Sequence, residues 1–183
     1  ERMYGLKGEI IEVHVPRDSL LVGKSIAHIE QCDGFVNPFV LGTWFEDAMV
    51  LQPISEAIIK PNMTLALFGT RAQIKDFLDR YQKLEVRPEL KTFATALEPT
   101  RSGIVEIVIP PDSKFIGKTP FENDFRGKYQ LNAMALYRES TTFVRGNSQL
   151  PAIHSGDTLL VHSQWHSLSS LASSNRNFLV ISD

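Results

Sequence analysis

Two stretches of the chain carry the same lettering in the same order, and this duplication limits the available folds more than any other feature. Ile11–Ser25, IEVHVPRDSLLVGKS, lies over Val105–Thr119, VEIVIPPDSKFIGKT, without a gap. Glu12 meets Glu106, Pro16 meets Pro110, Asp18-Ser19 meets Asp112-Ser113, and Gly23-Lys24 meets Gly117-Lys118. Looser matches follow. Phe35–Leu41 lies over Tyr129–Leu136 with one extra residue in the second copy, Lys60–Gly69 over His154–Ser163, and Thr70–Leu78 over Gln164–Ala172. Such self-similarity means one supersecondary unit used twice. In a chain of 183 residues each copy has roughly 75–85, just enough to hold its own core. We place the first domain at 1–84 and the second at 101–183. The stretch between, 85–100, with Pro88, Pro99 and mixed charge, reads as a linker with room for a short extended piece.

Within a copy, Ile11, Val13 and Val15 alternate with Glu12 and His14, as Val105, Ile107 and Ile109 do in the second. Period two with β-branched residues predicts a half-buried strand. Pro16 and Pro110 end it, because proline cannot donate to a sheet ladder. Asp-Ser then makes a turn, and Gly-Lys-Ser/Thr leads into a short helix, KSIAHIEQ or KTPFENDF. Next come two hairpins: FVNPFVL with AMVLQP through Asp47, and QLNAMALYR with Thr141–Gly146 through Glu139-Ser140. MTLALFG and TLLVHS form a last strand. Thr70 and Gln73 predict a capping box on the helix that follows, with Ile74, Phe77, Leu78 and Tyr81 as its apolar stripe. The second helix carries Trp165, Leu168 and Leu171, and Asn177–Ser182 adds one more extended piece. The fold class is α+β: two tandem copies of a small β-α-β-β-β-α domain with a mostly antiparallel sheet.

Gly-Lys-Ser/Thr ends a phosphate-binding loop, but such a loop also needs a glycine five residues upstream, so that backbone amides converge on the phosphates. Asp18 and Asp112 stand there instead, and Pro16 and Pro110 remove nearby donors. We read the motif as a turn into a helix and expect no nucleotide there. A net charge of −2, with Lys and Arg scattered, argues against nucleic acid as a partner. Cys32 is the only cysteine, which excludes an intrachain disulfide and a thiolate metal cluster and reads as a buried thiol in a reducing compartment. His154, His162 and His166 do not share a helix face, so no metal site is expected. No catalytic residue and no cofactor are assigned. Arg138, at the end of its strand, is a candidate anion anchor. With Asn132 at the strand's start and His154 it makes the candidate ligand-binding set. No apolar run approaches the roughly 18 residues of a membrane span. The chain starts at Glu1, as expected of a piece excised from a longer protein.

PDSKFIGKT, NAMALYR and SGDTLLVHS, in that order, resemble the TrkA C-terminal domain, also called RCK_C. The first copy departs from that pattern, with Lys60-Pro61-Asn62 in place of Gly-Asp and Gly42-Thr43 in place of the arginine. The resemblance implies a regulatory and dimerising module of channels and transporters. A tandem pair is similar to the insert between the membrane halves of permeases like the divalent-anion:sodium symporters. It further implies a homodimer, the transmembrane part of the same polypeptide as partner, the cytoplasmic face of the cell membrane as location, and a small ligand such as a cyclic dinucleotide. The alternatives are the C-terminal part of a peripheral potassium-channel regulator, or a small hydrolase or transferase using Asp112, His154 or His162.

Overall fold

A computed structural model describes residues 8–145, 149–174 and 176–181. Gly146 and Ser182, assigned above to extended pieces, lie outside them. The chain divides into two compact units, Glu1–Thr95 and Ala96–Asp183. Among the described residues, the first contains β1 (Glu9–His14), α1 (Ile26–Glu30), β2 (Phe39–Phe45), β3 (Ala48–Leu51), β4 (Thr64–Gly69), α2 (Arg71–Arg80) and β5 (Glu85–Arg87). The second repeats the series as β6 (Ser102–Val108), α3 (Phe125–Tyr129), β7 (Asn132–Arg138), β8 (Thr141–Val144), β9 (Thr158–Gln164), α4 (Trp165–Ser174) and β10 (Leu179–Ile181).

The two sheets have one topology. Their orders are β3-β2-β4-β1-β5 and β8-β7-β9-β6-β10, with every pairing antiparallel. The fold is therefore α+β with two copies, and each copy closes with a fifth strand beyond the β-α-β-β-β-α series. β5 lies in the stretch expected to be a linker, and the first unit continues to Thr95. The expected first domain ends too early. A strand edge left bare beside β1 would leave its amides and carbonyls without partners, and β5 covers it.

Register also corrects the alignment of the hairpins. Val40 faces Leu67 across a bulge, and Ala133 faces Val161 across the same bulge, so Val40 and Ala133 are equivalent. The second copy thus has one residue fewer ahead of its hairpin, where an extra one was expected. The pattern misled because both sheet faces are buried in β2 and β7, which removes the alternation that sets phase.

Each core sits between the sheet and its helices. In the first unit Ile11, Val13, Val40, Leu65 and Leu67 meet Ile74 and Phe77 of α2, with Leu78 and Tyr81 packed alongside. The Thr70–Gln73 capping box is present in both directions, Gln73 N to Thr70 Oγ1 at 3.2 Å and Thr70 N to Gln73 Oε1 at 2.8 Å. In the second core Phe115 takes the place of Leu21 and gathers Phe125 and Tyr129, with ring centroids 4.8 and 5.1 Å away. Here α3 begins at Phe125, later than expected. Thr119 and Glu122 still form a reciprocal cap on the turn before it, at 3.0 and 3.1 Å.

Gly23 and Gly117 hold φ of +85° and +93°, and no heavy atom beyond the two adjoining residues lies within 4 Å of where their Cβ would be. A side chain there costs backbone strain alone. Gly117→Ala is therefore expected to lower unfolding free energy by about 1–2 kcal/mol, read from urea denaturation. Asn62, in the left-handed region at φ +65°, already tolerates that conformation, and Asn62→Gly should change stability by less than about 0.5 kcal/mol.

Candidate functional site

The Gly-Lys turns come first, because they look most like ligand loops. Gly23 N donates to Ile59 O at 2.8 Å and Ile59 N donates back to Lys24 O at 2.8 Å. The second copy repeats the pair between Gly117-Lys118 and Ile153 at 2.9 Å each way. Ser25 Oγ caps α1 by accepting His28 N at 3.2 Å. The upstream serines act within their own turns, Leu21 N to Ser19 Oγ at 3.2 Å and Phe115 N to Ser113 Oγ at 3.1 Å. The glycine amide that a phosphate would need is already a donor inside the protein, so these loops join two segments of backbone.

At the end of β7 the second copy has a feature of its own. The Arg138 guanidinium donates to Asp157 from Nε (2.8 Å, Oδ1) and from Nη2 (2.7 Å, Oδ2), and Nη2 also donates to Ala152 O at 2.8 Å. Asp157 Oδ2 accepts a further bond from His154 N at 2.7 Å. The arginine side chain is 25% exposed and the aspartate 1%. Both orientations follow from the chain. Gly156 turns at φ +83° and delivers Asp157 inward, while Glu139 at φ +53° opens the hairpin just past Arg138. The hydrogen bonds to Asp157 raise the already high pKa of the guanidinium, so Arg138 keeps its charge.

Of the candidate set, this arrangement joins Arg138 and His154, the latter through its backbone amide with its ring exposed. Asn132 is six residues back along β7, about 20 Å by the rise of a strand. It is buried, and its Oδ1 accepts from Arg126 Nη2 at 2.9 Å. Asp157 was absent from the set, and the Gly-Asp turn before a strand was the available signal.

By strand register the first copy puts Phe45 where Arg138 stands and Met63 where Asp157 stands. Lys60 Nζ lies 4.9 Å from the centre of the Phe45 ring. A cation over an aromatic ring thus occupies the place of the ion pair. Register likewise matches the Phe39–Phe68 ring pair, centroids 6.3 Å apart, with Asn132 and His162. His162 is buried, and desolvation pushes its imidazole down to about 4. His154 and His166 are exposed. No group of three or more His, Cys, Asp or Glu among the described residues is placed to hold a metal. No helix among them is long and apolar enough to cross a membrane.

No protein-family model matches the chain. It is 33% identical over 79 residues to the "Uncharacterized transporter YfbS" of Escherichia coli (strain K12), a stretch covering 43% of this chain and 13% of that relative. Among solved structures it is similar to the GsuK RCK domain, at 11% identity and TM-score 0.37, covering 93% of this chain and 63% of the other. It is also similar to S. agalactiae BusR in complex with its busAB-promotor DNA, at 17% identity and TM-score 0.34, covering 55% and 42%. The last corrects the expected partner set, which left nucleic acid out: a structure similar to this chain comes from a complex with promoter DNA.

Two outcomes test the energetics. Asp157→Ala leaves Arg138 without its carboxylate and should cost about 3 kcal/mol in urea unfolding, whereas Asp18→Ala, which breaks an exposed 2.8 Å pair with Lys83, should leave the midpoint unchanged. For His162 the unfolded state binds the extra proton between pH 6.5 and about 4. Its contribution is complete above pH 6.5 and falls away as pH drops toward 4, by about 3 kcal/mol. His162→Phe, copying Phe68, should flatten that part of the stability–pH curve relative to wild type.

Proposed function

We propose that the chain is a pair of regulatory modules from a bacterial ion or anion transporter, held at the cytoplasmic face of the membrane. The observation that carries the reading is the 33% identity over 79 residues to a protein named as a transporter. The repeated module supports it: two copies share a topology while their sites have diverged, one with Arg138–Asp157 and one with Lys60 over Phe45. The reading gives the chain no catalysis of its own. Its work is to favour one state of a transporting part over another, which requires something that binds those states unequally. Within it, we propose Arg138 and His154 as the residues that a small anion would meet, the His154 ring being exposed and the Asp157-bound guanidinium partly so.

The test uses the full-length protein, detected in its native cells with an antibody raised against these 183 residues. Recovery in a membrane fraction that resists alkaline carbonate extraction is the expected result. Recovery in the soluble fraction overturns the reading.

A further inference from the structure

Glu12 departs from the strand pattern that contains it. Alternation places it opposite the core side chains of β1, yet it is fully buried at 0% exposure. Its Oε1 accepts Lys91 N at 2.9 Å and Phe93 N at 2.6 Å, and its Oε2 lies 4.0 Å from Arg87 Nη1. Phe93, also at 0%, is the apolar counterpart of this contact. A Cβ on Gly42 would come within 2.7 Å of Phe93 Cε1 and 3.1 Å of Leu51 Cδ2, so the glycine makes room for the ring. Around these two anchors the segment is thinly held: Pro88, Glu89, Lys91, Ala94 and Thr95 are exposed. The second copy differs at both points. Glu106 is only half-buried, and Ala135 stands at the register position of Gly42.

We propose that residues 88–95 form a strap that releases from the first sheet as a unit of its own, with Glu12 as its polar latch and Phe93 in the space left by Gly42 as its apolar one. Two anchors on a segment whose other residues are exposed, apart from the half-buried Leu90 and Thr92, are what local opening without unfolding of the sheet requires. A carboxylate accepting two amides holds more strongly than a neutral acceptor, so the charge of Glu12 sets how often the strap opens. This device belongs to the first unit alone and does not depend on the transporter reading.

Limited trypsin digestion of the native chain tests it, because the bond after Lys91 is cleaved only when the strap leaves the sheet. Glu12→Gln keeps shape and removes charge. Gly42→Ala leaves Glu12 intact and displaces the ring. Each should raise the initial cleavage rate after Lys91 by about fivefold or more, while cleavage after the exposed Lys75 of α2 stays at the wild-type rate. An unchanged rate after Lys91 in either variant overturns the proposal, as does a parallel rise after Lys75, which would mean that the strap opens only with the whole unit.

Discussion

The crossed pair of backbone hydrogen bonds between each Gly-Lys turn and the residue ahead of the last long strand is the constraint on which each module rests. Gly23-Lys24 and Ile59 exchange donors and acceptors, as do Gly117-Lys118 and Ile153. Without that exchange the amides of the buried Ile59 and Ile153 would lack an acceptor, a cost comparable to a lost hydrogen bond for each. The bridge needs a left-handed residue at its corner, and glycine supplies it without strain. Ser19 and Ser113 shape the turn before it, and Ser25 and Thr119 cap the turn after it. The stretch that spells the end of a phosphate loop is thereby accounted for by architecture.

On that shared frame the copies have diverged where two strands end beside each other. In the second, a buried carboxylate orients an arginine and gathers the amide of His154. In the first, methionine and phenylalanine fill the corresponding positions and a lysine rests on the ring. Both solutions compensate a cation, one with a charge and hydrogen bonds, the other with an aromatic face. The polar pair Asn132 and His162 in place of Phe39 and Phe68 follows the same trend. At these positions the second module is the more polar, and with that comes a stability that depends on the protonation of a buried imidazole.

Much of the fold was readable from residue order. The alternation of Ile11, Val13 and Val15, the prolines that end the first strands, the Thr70–Gln73 cap and the Asp47 turn all act within a few residues, and each appears where local chemistry places it. The phase of β2 and β7 was not readable, because strands buried on both faces lose the contrast between their sides. The site was legible in part. Arg138 stood out as a charge at a strand end, but its partner did not, since Asp157 reads as a turn residue until the pairing of β7 with β9 brings it across.

The sequence by itself determined that one module is used twice, that it is α+β, and that its Gly-Lys motif lacks the upstream glycine of a phosphate cradle. These follow from periodicity and local geometry. Only the tertiary structure decided that Glu12 faces inward onto the 91–93 backbone, that Arg138 is committed to Asp157, and that the supposed linker begins as the fifth strand of a sheet. Each of these joins residues far apart along the chain, and no local preference encodes which distant amide a carboxylate will meet.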